Sequence, residues 1–144
     1  MLSTVKVKLG LDACKFCFTG AAPIKTETLQ FYGALGIQIN EVYGMSECTG
    51  ATTWSTDSAH VWGSCGWALP STEVTVRNVE TNAECAAGVD GEICYRGRHI
   101  MMGYMGNPDL GAAHMKEIEG KNRSAIDDDG WLHSGDKGQK DMDG

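Results

Sequence analysis

At 144 residues, 42% hydrophobic and 22% charged, the chain is of single-domain size with enough apolar content for a core, which argues against a disordered polypeptide. Its net charge of −7 argues against a nucleic-acid groove or an anionic membrane surface as the main partner. The opening Met1-Leu2-Ser3-Thr4-Val5-Lys6 lacks the apolar core of a secretory signal, and no run approaches the ~20 apolar residues that span a bilayer.

Residues 13–19 (ACKFCFT) are nearly uncharged and read as a buried strand that opens into the small-residue turn Gly20-Ala21-Ala22-Pro23. Residues 25–35 place Thr28, Leu29, Phe31, Tyr32 and Leu35 at helical spacing, with Gly36 as the stop. Residues 37–42 (IQINEV) alternate and predict a second strand ending at a Tyr43-Gly44 turn. Strand, helix and strand within about thirty residues form a βαβ unit and hence a parallel sheet. From about Val61 the texture changes. Residues 73–79 alternate strictly, 81–88 read as a turn, and 91–96 as another strand. A loop over 97–106 carries Ile100, Met101, Met102 and Tyr104, and a short helix is expected near 110–118. The expected fold is α/β, with a partial nucleotide-binding βαβ portion over 1–60 and a small β-rich, barrel-like subdomain over 61–144.

Of six cysteines, only Cys14 and Cys17 form a C-x-x-C pair, and neither a second pair nor a histidine cluster completes a tetrahedral zinc site. Reduced, mostly buried thiols in a cytosolic-type compartment are expected. Asn122-Arg123-Ser124 matches a glycosylation sequon and is read as idle. Asp127-Asp128-Asp129-Gly130 lacks the spaced oxygens and terminal glutamate of a calcium loop and reads as a solvated turn. His133, Ser134 and Asp136 share one short loop without a nucleophile elbow, which argues against a hydrolase triad. His60, His99 and His114 show no ligand spacing.

Two stretches group chemistry suited to a nucleotide. Tyr43-Gly44-Met45-Ser46-Glu47 offers a ring to stack on a base, a glycine for close backbone approach, a hydroxyl for a phosphate and a carboxylate for Mg²⁺. An ordinary turn with a capping serine and a surface glutamate fits the same five residues. Asp136, on a glycine turn in Gly130-Trp131-Leu132-His133-Ser134-Gly135-Asp136, suits a ribose diol, and a plain turn aspartate is its alternative. Gly20-Ala21-Ala22-Pro23 is either a floor beneath a planar ring or a tight strand-to-helix turn.

In order, Thr19-Gly20-Ala21-Ala22-Pro23, Tyr43-Gly44-Met45-Ser46-Glu47, Gly91-Glu92-Ile93 with Arg96-Gly97 and Met102-Gly103-Tyr104, and the stretch from Gly130 to Asp136 resemble the adenylate-forming acyl-CoA synthetases. Arg98-His99-Ile100 and Trp131-Leu132-His133 are most similar to the long-chain and very-long-chain ligases of bubblegum type. The resemblance implies part of the large N-terminal domain of an enzyme that joins a fatty acid to ATP as an acyl-adenylate, then passes the acyl group to coenzyme A. It also implies roles. Gly20, Ala21, Ala22 and Pro23 border the adenine, Tyr43 stacks on it, and Gly44 and Met45 lie near the acyl carboxylate. Ser46 contacts the α-phosphate, Glu47 holds Mg²⁺, and Asp136 binds the ribose.

Ser46 and Ser134 stand where the family commonly has threonine, and Trp67 where a smaller or basic residue is frequent. The family's phosphate loop, hinge and C-terminal domain with its catalytic lysine find no match here. An internal piece with little turnover of its own is therefore expected. A non-catalytic nucleotide-binding module, or a ligase for another carboxylic acid, stays open. The implied location is cytoplasmic, with peripheral attachment to endoplasmic reticulum or other membranes as the alternative.

Overall fold

The computed structural model describes residues 2–142. The chain divides into two compact units, Met1–Gly44 with Ala51–Leu69, and Met45–Gly50 with Pro70–Gly144. Among the described residues no helix is long and apolar enough to cross a membrane.

The first unit opens with helix α1 (Leu2–Lys8), followed by strand β1 (Cys17–Thr19), helix α2 (Thr26–Ala34), and strands β2 (Ile39–Met45), β3 (Gly50–Trp54) and β4 (Trp67–Ala68). These strands form one sheet in the order β1-β2-β3-β4. β1 and β2 are parallel, Cys17 facing Ile39 and Thr19 facing Glu41, with α2 as the crossover, so the expected βαβ unit is present. α2 stops where expected, at Gly36, whose φ of +72° is a left-handed conformation that a side chain resists. Leu29 and Ile37 are the buried apolar residues of this unit. Its sheet also buries Asn40, Glu41, Thr52, Thr53 and Ser55. Partners answer part of that polarity: the Ser55 hydroxyl accepts the Glu41 N–H at 2.7 Å and Asn40 Nδ2 donates to Asp57 at 2.7 Å, while Asn40 Oδ1 and the Thr53 hydroxyl are buried without a hydrogen-bond partner among the described residues. The Glu41 carboxylate accepts the Gly63 N–H at 3.0 Å, and burial pushes its pKa up.

Three expectations need correction here. The buried strand over 13–19 is reduced to Cys17–Thr19, with Phe16 and Phe18 exposed by 75% and 66%. β1 has a neighbour on one side only, so little covers its faces. Tyr43 and Gly44 are not a turn: β2 runs through both, and the chain reverses in a single 3-10 turn at Ser46–Cys48. The cysteines are also less buried than expected. Cys48 and Cys94 are buried, while Cys14 and Cys65 are exposed.

In the second unit, β5 (Thr72–Arg77), β6 (Gly91–Gly97) and β7 (Leu132–Gly138) form an antiparallel sheet with β6 in the middle. This sheet is open and does not close into a barrel among the described residues. Helix α3 (Ala112–Ala125), preceded by a 3-10 turn at Pro108–Leu110, runs longer than the expected 110–118. Ion pairs one turn apart, Lys121–Glu117 and Arg123–Glu119, accompany the extra turns, and their polar residues hide the helical period. Val76, Cys94, Tyr95, Trp131 and Leu132 make the core.

Two guanidinium groups lie over the Trp131 ring, Arg77 at 4.7 Å and Arg96 at 4.5 Å from its centroid. Arg96 is held over the ring by a two-pronged pair with Glu73, at 3.1 and 2.6 Å. Truncating Trp131 removes core volume and both cation contacts together. Trp131→Ala should cost about 3–5 kcal/mol in urea unfolding of the chain, the range for large aromatic truncations. A loss within experimental error would remove Trp131 from the core.

Candidate functional site

The residues singled out in the sequence fall in both units, and each group has its own local scaffold. In the first unit, Gly20-Ala21-Ala22-Pro23 follows the end of β1 as an exposed loop. A β-carbon on Gly20 would stand 3.0 Å from the Val42 carbonyl oxygen, so glycine lets this loop lie against β2. Ala21 takes φ +68°, a left-handed conformation that costs a non-glycine residue about 1–2 kcal/mol. Strained backbone held in place by its surroundings is a feature of ligand-contacting segments. Tyr43 and Gly44 are half-buried on β2.

In the second unit, the turn at Ser46–Cys48 is pinned from inside. The buried Cys48 Sγ accepts the Met45 N–H at 3.2 Å and also lies 3.2 Å from the Met45 carbonyl oxygen. Thr49 follows at φ +64°, an uncommon conformation for a β-branched residue, with its hydroxyl donating to the His99 carbonyl at 2.7 Å. The Glu47 carbonyl accepts the Met101 N–H at 2.8 Å. The Glu47 side chain is then aimed by Tyr104, whose hydroxyl donates to Oε1 at 2.8 Å. That bond, with burial and the carboxylate charge, pushes the Tyr104 pKa up. Tyr104 is itself gripped by Asn122 of α3, which accepts the Tyr104 N–H at 2.6 Å and donates to its carbonyl at 3.0 Å. Asn122, read in the sequence as part of an idle sequon, thus anchors the ring that orients Glu47. No local pattern signals it, because Asn122 lies 18 residues from Tyr104.

Asp136 sits on β7, exposed, with its N–H donating to the Ser134 hydroxyl at 3.0 Å. The β6–β7 register shows why it projects. Cys94 faces His133 and Glu92 faces Lys137, so Ile93 alone opposes Ser134, Gly135 and Asp136. This irregularity pushes the three residues out of the ladder, and Gly135 accommodates it at φ +75°. The Glu92 carboxylate closes the base of the bulge: Oε1 accepts the Gly135 N–H at 2.9 Å and Oε2 meets His133 Nδ1 at 2.8 Å. His133 Nε2 lies 3.3 Å from Asp127 Oδ2.

Asp127 is no solvated spectator. Its Oδ1 accepts the Trp131 N–H at 2.9 Å and the Asp129 N–H at 3.1 Å, and Arg77 lies 3.9 Å from Oδ2. Burial works to raise its pKa, but these amides with His133 and Asn82 outweigh it and hold the carboxyl low. The Cys94 thiol beneath the pair is pushed up to about 12, by burial first and then by the Glu92 charge. Burial likewise works to lower the His133 pKa, and the hydrogen bonds that its ring donates to Glu92 and Asp127 outweigh it, so the net shift is upward.

A family model described as AMP-binding enzyme matches residues 3–105. The chain belongs to the AMP-binding enzyme family. It is 44% identical over 140 residues to the long-chain-fatty-acid–CoA ligase ACSBG2 of Gallus gallus, covering 97% of this chain and 16% of that protein. To ACSBG2 of Homo sapiens it is 41% identical over 141 residues, covering 98% of this chain and 19% of that protein. The Drosophila melanogaster long-chain-fatty-acid–CoA ligase heimdall is 35% identical over all 144 residues, of which the chain spans 18%. Among solved structures, ATP-bound MatB from Rhodopseudomonas palustris superposes with a TM-score of 0.78 at 30% identity, covering 90% of this chain and 24% of that one. The anthranilate CoA ligase AuaEII in complex with anthranoyl-AMP shares the fold, with a TM-score of 0.79 at 19% identity over 99% of this chain and 26% of its own.

The upward shift of His133 fixes a sign. Its contribution to stability is full below the unfolded value near 6.5 and is lost as pH rises through the higher folded pKa. Urea unfolding of the wild type and of His133→Gln, compared at intervals between pH 6 and 9, should therefore show a stability difference that shrinks as pH rises. A difference that grows with pH would show that the imidazolium form is not the one favoured by Glu92 and Asp127.

Proposed function

We propose that this chain supplies adenine-, ribose- and Mg²⁺-holding residues of an ATP-dependent long-chain fatty acid–CoA ligase. The observation that carries the reading is the ordered set of motifs from Gly20 to Asp136, combined with an identity of 35–44% to long-chain-fatty-acid–CoA ligases across nearly the whole chain. The chain spans 16–19% of the length of those relatives, so the activity is that of a protein of their size.

In this reading, Gly20 to Pro23 border the adenine and Tyr43 stacks on it. Gly44 and Met45 lie near the acyl carboxylate, and Ser46 donates to the α-phosphate. Asp136 accepts from the ribose hydroxyls, which the bulge presents to solvent-borne ligands. Glu47 fits a magnesium ligand: with Oε1 held by Tyr104, its orientation is set and Oε2 remains for the ion. Mg²⁺ commonly takes one or two carboxylates and fills its other positions with water and phosphate. When bound, the ion would neutralise phosphate charge; the chain's own contribution is to hold Glu47 still. Coenzyme A and the fatty acid are the proposed co-substrates. A cytoplasmic or peripheral membrane location is part of the same reading.

In the ligase containing these residues, Asp136→Ala should weaken ATP binding by about 1–3 kcal/mol, the loss of charge-assisted hydrogen bonds. Calorimetric titration checks this, and unchanged affinity would remove Asp136 from the site. Tyr104→Phe frees Glu47 Oε1 and should raise the Mg²⁺ concentration needed for half-maximal acyl-adenylate formation, with affinity for AMP alone unchanged. Pyrophosphate release measured across a magnesium series reads this out. An unaltered magnesium requirement would count against an orienting role for Tyr104.

A further inference from the structure

The side chains of Glu92, Cys94 and His133 converge in a way the nucleotide reading does not use. One ligand-type atom from each, a Glu92 carboxylate oxygen, Cys94 Sγ and a His133 ring nitrogen, lies within 4.8 Å of the other two. Cys94 and His133 are direct cross-strand partners on β6 and β7, which sets Sγ 3.6 Å from Nδ1. Glu92 stands two residues before Cys94 on the same strand, with Oε2 2.8 Å from that same Nδ1. We propose that Glu92, Cys94 and His133 form a site for a divalent zinc-class cation, with water in the fourth position.

The donor set and the spacing both point to zinc. Sulfur, imidazole nitrogen and a carboxylate oxygen are the ligands zinc takes, whereas magnesium and calcium take oxygen. Tetrahedral zinc with nitrogen at about 2.0 Å and sulfur at about 2.3 Å separates those two atoms by roughly 3.6 Å, which matches the Cys94–His133 pair. The Glu92–His133 contact is a hydrogen bond at present and must open by about half an ångström to admit the ion. Glu92 and His133 side chains are 18% and 20% exposed, so solvent reaches the mouth of the cluster while Cys94 floors it.

The surroundings supply what a ligating histidine needs. His133 Nε2 faces Asp127 Oδ2 at 3.3 Å. A carboxylate there keeps a proton on Nε2, so it is Nδ1 that gives up its proton and turns a lone pair to the metal. Asp127 is in turn fixed by the Trp131 and Asp129 amides, so the imidazole plane is set before any ion arrives. On binding, the Cys94 thiol proton and the Nδ1 proton that His133 shares with Glu92 both pass to solvent, and the thiolate and the Nδ1 lone pair take their places at the metal. Glu92 keeps its Oε1 bond to Gly135, tying the ion to the bulge that carries Asp136. Sequence spacing alone could not show this site, because its ligands are brought together across 39 to 41 residues.

Cobalt(II) is the probe, since tetrahedral sulfur ligation gives intense visible bands and a near-ultraviolet sulfur-to-cobalt transition. The titration uses the whole chain carrying Cys14→Ser and Cys17→Ser, which removes the competing C-x-x-C pair, whose sulfurs lie 3.5 Å apart. One equivalent should produce both signatures, and zinc should abolish them by displacement. Cys94→Ser should eliminate the sulfur transition. Asp127→Asn keeps every ligand and should weaken cobalt binding about 10–100-fold, the usual effect of removing a partner behind a metal-bound histidine. Circular dichroism confirms that each variant folds. An octahedral spectrum without the sulfur transition, or one indifferent to Cys94→Ser, would overturn the site. Unchanged affinity in a folded Asp127→Asn would do so as well, even if Cys94→Ser proved unable to fold.

Discussion

The carboxylate of Glu92 is the contact on which the bulged edge of the second unit's sheet depends. β7 has three residues where β6 has one, and such an excess must be accommodated outside the ladder. Glu92 decides its shape by holding Gly135 with one oxygen and His133 with the other. Without that grip the segment Ser134-Gly135-Asp136 would have no fixed exit from the sheet. The rest follows outward: His133 reaches Asp127, Asp127 gathers the Trp131 and Asp129 amides, and Trp131 lies beneath Arg77 and Arg96. A buried aromatic and an exposed aspartate are thereby joined through one continuous polar chain.

A second chain of contacts acts on Glu47 by the same logic. A helix residue, Asn122, holds the backbone of Tyr104 from both its N–H and its carbonyl, and the Tyr104 hydroxyl holds the carboxylate. Fixing a ligand before the substrate arrives lowers the ordering cost of binding. Strain accompanies both candidate loops. Ala21 beside the proposed adenine floor and Thr49 after the Glu47 turn take left-handed backbone that other contacts must sustain. For Thr49 the sustaining contact is its own hydroxyl bond to His99.

Elements with strong local periodicity were legible from sequence. α2 declares itself through Leu29 and its neighbours with Gly36 behind, and the apolar run on β6 through Ile93, Cys94 and Tyr95. The parallel crossover followed from their order. β3 was hidden because its buried residues include Thr52 and Thr53, polar residues whose burial no local apolar pattern signals. β7 was hidden because LHSGDKG is polar and glycine-rich, as a bulged strand must be when it presents an aspartate outward. Motifs drew attention to Glu47 and Asp136, but Tyr104 holds Glu47 across 57 residues, Asn122 holds Tyr104 across 18, and Glu92 holds Gly135, the neighbour of Asp136, across 43. The triple aspartate misled for the same reason: Asp127 takes its meaning from His133 and Trp131, not from its acidic neighbours.

Calorimetric titration of AMP into the wild-type chain, Glu92→Ala, Asp136→Ala and the double variant tests the account most directly. If Glu92 acts by shaping the segment that carries Asp136, each single change lowers AMP affinity, and the double variant loses little beyond the larger of the two. Strict additivity between the two changes, or unaltered AMP binding by a folded Glu92→Ala chain, would contradict the claim that Glu92 shapes the edge proposed to face the nucleotide.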